Sequence, residues 1–243
     1  MEKKYKGGLC SHGKVKEDKL NKGILISFEG ISGVGKTYFR NDLEKYYVTN
    51  PNIVFQKEIM DENHQEIQRK IFDILSSTGS KFFDMGKPIT ETALLAAKAA
   101  HKEETIVRTT LEQGKSIVSD RYVDSICVYQ ALMLVKKYGG DSFQYANKIF
   151  NILRQFCTVP STTFLFKDHF NKCIERAEKR DKDKYSSDEI TLLRDVEKLY
   201  ESFTELHKSR YKIVDLSGLT TQDAKELLIN EINKTIERSN KIE

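Results

Sequence analysis

No stretch of the chain approaches the roughly 18 consecutive apolar residues that a membrane span requires. The first 22 residues, MEKKYKGGLCSHGKVKEDKLNK, also lack the apolar core of a secretory signal. Both absences predict a cytoplasmic protein with no membrane partner. The four cysteines, Cys10, Cys127, Cys157 and Cys173, form no CxxC pair and no metal-ligand spacing. A disulfide scaffold and a zinc module are thereby excluded, and the last three read as small apolar core residues. Prolines are few, and Pro51, Pro88 and Pro160 fall between candidate elements. A charge surplus is missing from the body of the chain as well. Residues 1–22 hold seven lysines against Glu2, Glu17 and Asp18, a surplus of four that accounts for the whole formal charge of +4. A basic face for nucleic acid is therefore not expected on the folded part. The arm reads as a disordered, solubilising tail, with a localisation or RNA-tethering arm as the alternative.

What is present is one domain's worth of alternating strands and helices, over residues 23–243. Strand candidates are ILISFE (24–29), NIVFQK (52–57), SIVSD (116–120), TTFLF (162–166) and KIVDL (212–216). Their near-continuous apolar character predicts a sheet buried on both faces. Helical patterns cover about 36–48, 64–76, 89–113, 121–137, 142–156, 169–180, 188–208 and 221–238. The alternation predicts an α/β, three-layer fold: a five-stranded parallel sheet with helices on both faces.

Gly30, Gly35, Lys36 and Thr37 fit G-x-x-x-x-G-K-[ST] between a strand and a helix start. Backbone N–H groups of Gly30 to Gly35, Ser32, Gly33 and Val34 among them, can converge on phosphate oxygens. The helix that follows turns its positive end to the same anion. Lys36 can reach the β and γ phosphates and Thr37 can ligate magnesium, so ATP and Mg2+ are the expected cofactors. Switches, motors and kinases share such a loop, so the loop alone names no reaction.

A second constellation, SDRYVDSICVYQ, puts Asp120 at the end of an apolar strand, suited to supporting a metal, with Arg121 next to it at the carboxyl edge of the sheet. A guanidinium grips phosphate bidentately. Phosphate loop, DRYVDS and YQ, in this order and spacing, resemble the thymidylate kinase family over residues 23–238. The resemblance implies a P-loop NTPase-like fold, transfer of phosphoryl from ATP to dTMP or a related nucleotide, and a homodimer formed through helices. Position by position it implies Lys36 and Thr37 on ATP and magnesium, Asp120 behind the metal, and Arg121 and Arg69 on the acceptor phosphate. Glu58 matches the glutamate of the family's Arg-Glu-Pro motif, with Lys57 and Ile59 as its changed neighbours. Tyr129 and Gln130 fall on the deoxyribose and base pocket. The charged stretch Arg176–Glu189 falls on the family's lid, with Arg176, Arg180, Lys182 and Lys184 as candidate catalytic cations.

Four positions depart from the family. Counting back from Asp120 puts the thymine-stacking phenylalanine at Leu95 and the thymine-reading arginine at Ala99. Ile126 replaces a base-edge reader, and Ser32 replaces the carboxylate inside the loop. Losing a stack and a hydrogen-bonding partner removes roughly 1 to 3 kcal/mol of recognition each. Two explanations stand open. In one, a slipped helix register brings Lys98, His101 or Lys102 into the role. In the other, the acceptor is not dTMP. A nucleoside acceptor, with Glu58 as its base, and a nucleotide-binding regulator without transfer activity are the alternatives from other classes.

Overall fold

The apolar runs become β1 (Leu25–Glu29), β2 (Ile53–Gln56), β3 (Ser116–Asp120), β4 (Thr162–Lys167) and β5 (Tyr211–Asp215). The computed structural model describes residues 22–57 and 66–239. All four strand pairings are parallel, in the order β2-β3-β1-β4-β5. The expected five-stranded parallel sheet is thus observed, with β1 at its centre. Parallel neighbours require crossovers, and helices supply them. They are α1 (Lys36–Tyr46), α2 (Glu66–Ser76), α3 (Pro88–Lys102), α4 (Arg108–Glu112), α5 (Val123–Tyr138), α6 (Ser142–Leu153), α7 (Phe170–Asp181), α8 (Ser187–Leu206) and α9 (Thr221–Ser239). Among the described residues, no helix is long and apolar enough to cross a membrane.

Strand alternation sorts the two faces. Phe28, Phe164 and Phe166 share one face, where Phe28 lies 5.0 Å from Phe166 and Phe39 of α1 stacks 6.0 Å from the same ring. Ser27, Glu29 and Thr163 point the other way, toward α5. There the Ser27 and Thr163 hydroxyls are 3.0 Å apart and Asp124 lies within 3.2 Å of Thr163. Helix α5 packs in turn against α3, α6 and α8, while α1 packs against α9. The three described cysteines are buried, as expected, and burial pushes each thiol upward.

One expected element is corrected. The pattern over 89–113 is not a continuous α-helix: Glu103–Val107 forms a π-helical turn between α3 and α4. Its buried members, Glu103 and Val107, sit on one side, and Glu103 accepts hydrogen bonds from Tyr122 and Thr158. Anchoring that carboxylate favours the wider turn, which takes one residue more than an α turn.

Candidate active site

β1 ends at Glu29, the chain wraps through Gly30–Gly35, and α1 starts at Lys36. Two glycines in the wrap have no substitute. Gly30 has φ 136° and a Cβ there would meet the Phe166 carbonyl oxygen at 2.7 Å; Gly33 has φ 77° and a Cβ would meet the Cys173 carbonyl at 1.9 Å. The loop therefore lies flush against β4 and the start of α7. Lys36 is buried and donates to the Gly30 and Ile31 carbonyls at 3.1 and 2.8 Å. The β1–β3 register pairs Phe28 with Asp120, which brings Asp120 to the start of α1. Thr37 Oγ1 donates to Asp120 Oδ2 at 2.5 Å. Asp120 Oδ1 is buried with no hydrogen-bond partner among the described residues. A hydroxyl beside a carboxylate with an unsatisfied oxygen is a donor set that suits a hard divalent cation.

Arg121 follows in a left-handed conformation, φ 57°, an uncommon state for a residue with a side chain. Its neighbours hold it there. The Tyr122 amide donates to Glu29 Oε1 at 2.8 Å, and the Arg121 amide donates to the Phe28 carbonyl at 2.9 Å. The guanidinium donates to Ser125 Oγ at 3.0 Å and lies 5.3 Å from the centre of the Tyr129 ring. Ser125 in turn donates to Glu29 Oε2, which also accepts from Tyr200 at 2.9 Å. Burial pushes the Glu29 carboxyl up to about 7, and the Asp124 charge adds to the rise; the Ser125 and Tyr200 hydrogen bonds and the Arg121 charge oppose it. Sequence reasoning missed Glu29. Its signal was a carboxylate closing an otherwise apolar strand, one residue ahead of the phosphate loop.

Lys36, Thr37 and Arg121 open onto one cavity of about 520 Å³. Ser32, Leu95, Ile126, Tyr129, Gln130 and Arg180 line it too, so nine of the expected site residues meet there. Arg180 and Tyr185 donate to Ser32 Oγ at 3.1 and 3.3 Å, laying the segment between α7 and α8 over the phosphate loop. Other expected residues lie away from the cavity or outside the described residues. Ala99 is fully buried in the core and does not line the cavity, because the wall of α3 is formed one turn earlier by Leu95. Arg69 stands exposed on α2 outside the cavity. Arg176 is held aside by Asp168 at 2.6 Å, and Lys184 is exposed, its carbonyl accepting from Lys81. Glu58 lies outside the described residues, as does all but the last residue of the basic arm. Lys81, Phe82, Phe83, Asp181 and Tyr185 line the cavity without having been anticipated. The run KFF between Gly79 and Gly86, two aromatics in a loop, was the available signal for the first three.

Lys98 is buried on α3, with its Nζ 5.0 Å from the centre of the Phe72 ring.

A phosphate loop and a strained arginine facing one cavity beneath a cation-bearing flap define an ATP-dependent phosphotransferase of the nucleotide kinase class. A model of the family described as thymidylate kinase matches residues 28–227. The chain belongs to the thymidylate kinase family. It is 28% identical over 167 residues to a thymidylate kinase of Mycoplasma genitalium, spanning 68% of this chain and 72% of that protein. To a thymidylate kinase of Prochlorococcus marinus it is 27% identical over 220 residues, 89% of this chain and 97% of that one. The solved structure of the Ehrlichia chaffeensis thymidylate kinase shares the fold, with a TM-score of 0.62 at 17% identity over 87% of this chain and 99% of that one.

Proposed function

We propose that the chain transfers the γ-phosphoryl group of ATP to the phosphate of dTMP with Mg2+ bound, giving ADP and the diphosphate. The observation that carries this reading is that Lys36 and Arg121 line the same cavity. An oxygen of the acceptor phosphate forms the new bond to Pγ while the bond from Pγ to the bridging oxygen of ADP breaks. The acceptor is already anionic, so no general base is required. Lys36 and the amides of Gly30–Gly35 hold the donor phosphates. Thr37 and Asp120 hold magnesium, whose charge offsets that of the phosphates when bound. Arg121, pre-bent by its backbone and braced by Ser125, grips the acceptor phosphate. Arg180 adds positive charge from the lid. Leu95, Ile126, Tyr129 and Gln130 surround sugar and base. The match to the thymidylate kinase family model and to thymidylate kinase relatives supports dTMP over an altered acceptor. Arg176 and Lys184 enter only if lid closure swings them inward. The same reading carries a homodimer, supported by the exposed Ile67, Ile74 and Ile89 on α2 and α3, and a cytoplasmic site of action.

ADP release measured with ATP and Mg2+ over a panel of nucleosides and monophosphates tests the proposal, beside a Lys36→Ala control. dTMP is expected to turn over at about 1 to 100 per second. Arg121→Met is expected to raise the acceptor KM far more than that for ATP. Arg69→Ala assigns or removes Arg69, according to whether the acceptor KM moves. Turnover of another monophosphate with dTMP inert overturns the choice of acceptor.

A further inference from the structure

The aromatic surface of the cavity does not come from α3, whose cavity-facing residue is Leu95. It comes from the loop 77–87, from α5 and from the segment between α7 and α8. The Phe82 ring stacks near-parallel on Tyr129, with centres 6.0 Å apart and planes 25° from each other, and meets Tyr185 at 6.0 Å and 47°. Arg121 lies over that same Tyr129 ring at 5.3 Å, so a phosphate-gripping group and a flat aromatic face adjoin across one side chain.

A loop of this composition, STGSKFFDMGK, has little of its own to hold it still. Here it is fixed at several points. Lys81 donates to the Lys184 carbonyl at 2.7 Å, pairs with Asp183 at 2.9 Å and lies 4.4 Å from the centre of the Tyr185 ring. Asp84 pairs with Lys136 of α5 at 2.8 Å. Fully buried Glu91 accepts from the amides of Met85 and Lys87 at 2.8 and 2.9 Å. Phe83, at φ 57°, sets its ring edge-on to Phe72 at 5.8 Å. The left-handed backbone at Phe83 costs energy that only such anchoring maintains. The result is a fixed orientation of the preceding ring, Phe82.

We propose that Phe82 is a specificity-determining residue whose ring stacks on the base of the acceptor while Arg121 holds its phosphate. The inference rests on the acceptor reading above. It places the aromatic partner of the base on a loop, tied to the lid through Lys81, rather than on helix α3.

The absence of tryptophan makes the test direct, since Phe82→Trp installs the sole indole of the chain in the cavity. Calorimetry measures dTMP and ATP binding to the full-length wild type and to Phe82→Ala, while emission of Phe82→Trp is followed with dTMP and with 2-deoxyribose 5-phosphate. Phe82→Ala is expected to weaken dTMP binding roughly tenfold or more, as for loss of a base–aromatic stack, with ATP affinity unchanged. The indole is expected to be quenched by dTMP and not by the base-free sugar phosphate. Unaltered dTMP affinity in Phe82→Ala, equal loss of ATP binding, or quenching by the sugar phosphate overturns the proposal. If the wild type ignores dTMP but binds another nucleoside monophosphate that quenches the indole, the choice of dTMP fails and the role of Phe82 stands. Binding of no base-bearing monophosphate refutes both.

Discussion

Glu29 receives three donors, the Tyr122 amide and the Ser125 and Tyr200 hydroxyls, and through the first two it fixes both the backbone and the guanidinium of Arg121. Its carboxyl is raised from 4.5 to about 7, first by burial and then by Asp124. The folded protein thus holds a proton that the unfolded chain releases near 4.5. The stability this contributes is fully present below 4.5 and is lost as pH rises through 7, on the order of 3 kcal/mol in total. Glu29→Gln cannot ionise. Urea unfolding at steps from pH 4.5 to 8 should show wild-type stability falling relative to the variant, with the difference levelling above 7. Parallel curves would mean that Glu29 does not take up the proton. The carboxylate closing β1 was visible in the sequence, but its role was not, because that role depends on Ser125 of α5 and Tyr200 of α8, 96 and 171 residues away. Lys36, Thr37, Asp120 and Arg121 were legible because their roles follow from strand ends and glycine spacing, which are local.

The strands and most helices were readable for the same reason: apolar runs and 3.6-residue periodicity lie within each segment. The π turn was not, since the carboxylate of Glu103 within it is held by Tyr122 and Thr158, partners 19 and 55 residues away. Loop 77–87 was unreadable too, as its order comes from the lid and from α5. That dependence gives a prediction about the two elements together. Lys81 is mostly buried by its partners while Asp183 is exposed, and a pair with an exposed member contributes little to global stability. Its effect should instead be to hold the loop and the lid in register. Lys81→Met should therefore leave the thermal midpoint unchanged and raise the acceptor KM several-fold, about 1 kcal/mol of lost preorganisation. A lowered midpoint with an unchanged KM would make Lys81 a structural residue only.

Across the molecule, the polar face of the sheet converges on Asp124 of α5. Arg210, just ahead of β5, donates to both of its oxygens at 2.7 Å and to Thr163 of β4 at 2.7 Å, and Thr163 reaches Ser27 of β1. Asp124 is fully buried and the Arg210 side chain is 10% exposed. Removing one member of such a pair leaves a buried charge uncompensated, at about 3 to 5 kcal/mol. That is a large share of the roughly 5 to 15 kcal/mol by which domains are stable. Arg210→Met should lower the urea midpoint accordingly, and Asp124→Asn combined with Arg210→Met should recover part of the loss. The deficit should also depend on pH. Below 7 Glu29 is protonated and Arg210 balances one carboxylate. Above 7 Glu29 ionises as well, and without Arg210 two buried carboxylates face each other. The cost of Arg210→Met should therefore grow as pH rises from 6 to 8. A cost that stays constant over that range would show that the brace of the sheet and the carboxylate beneath Arg121 titrate independently.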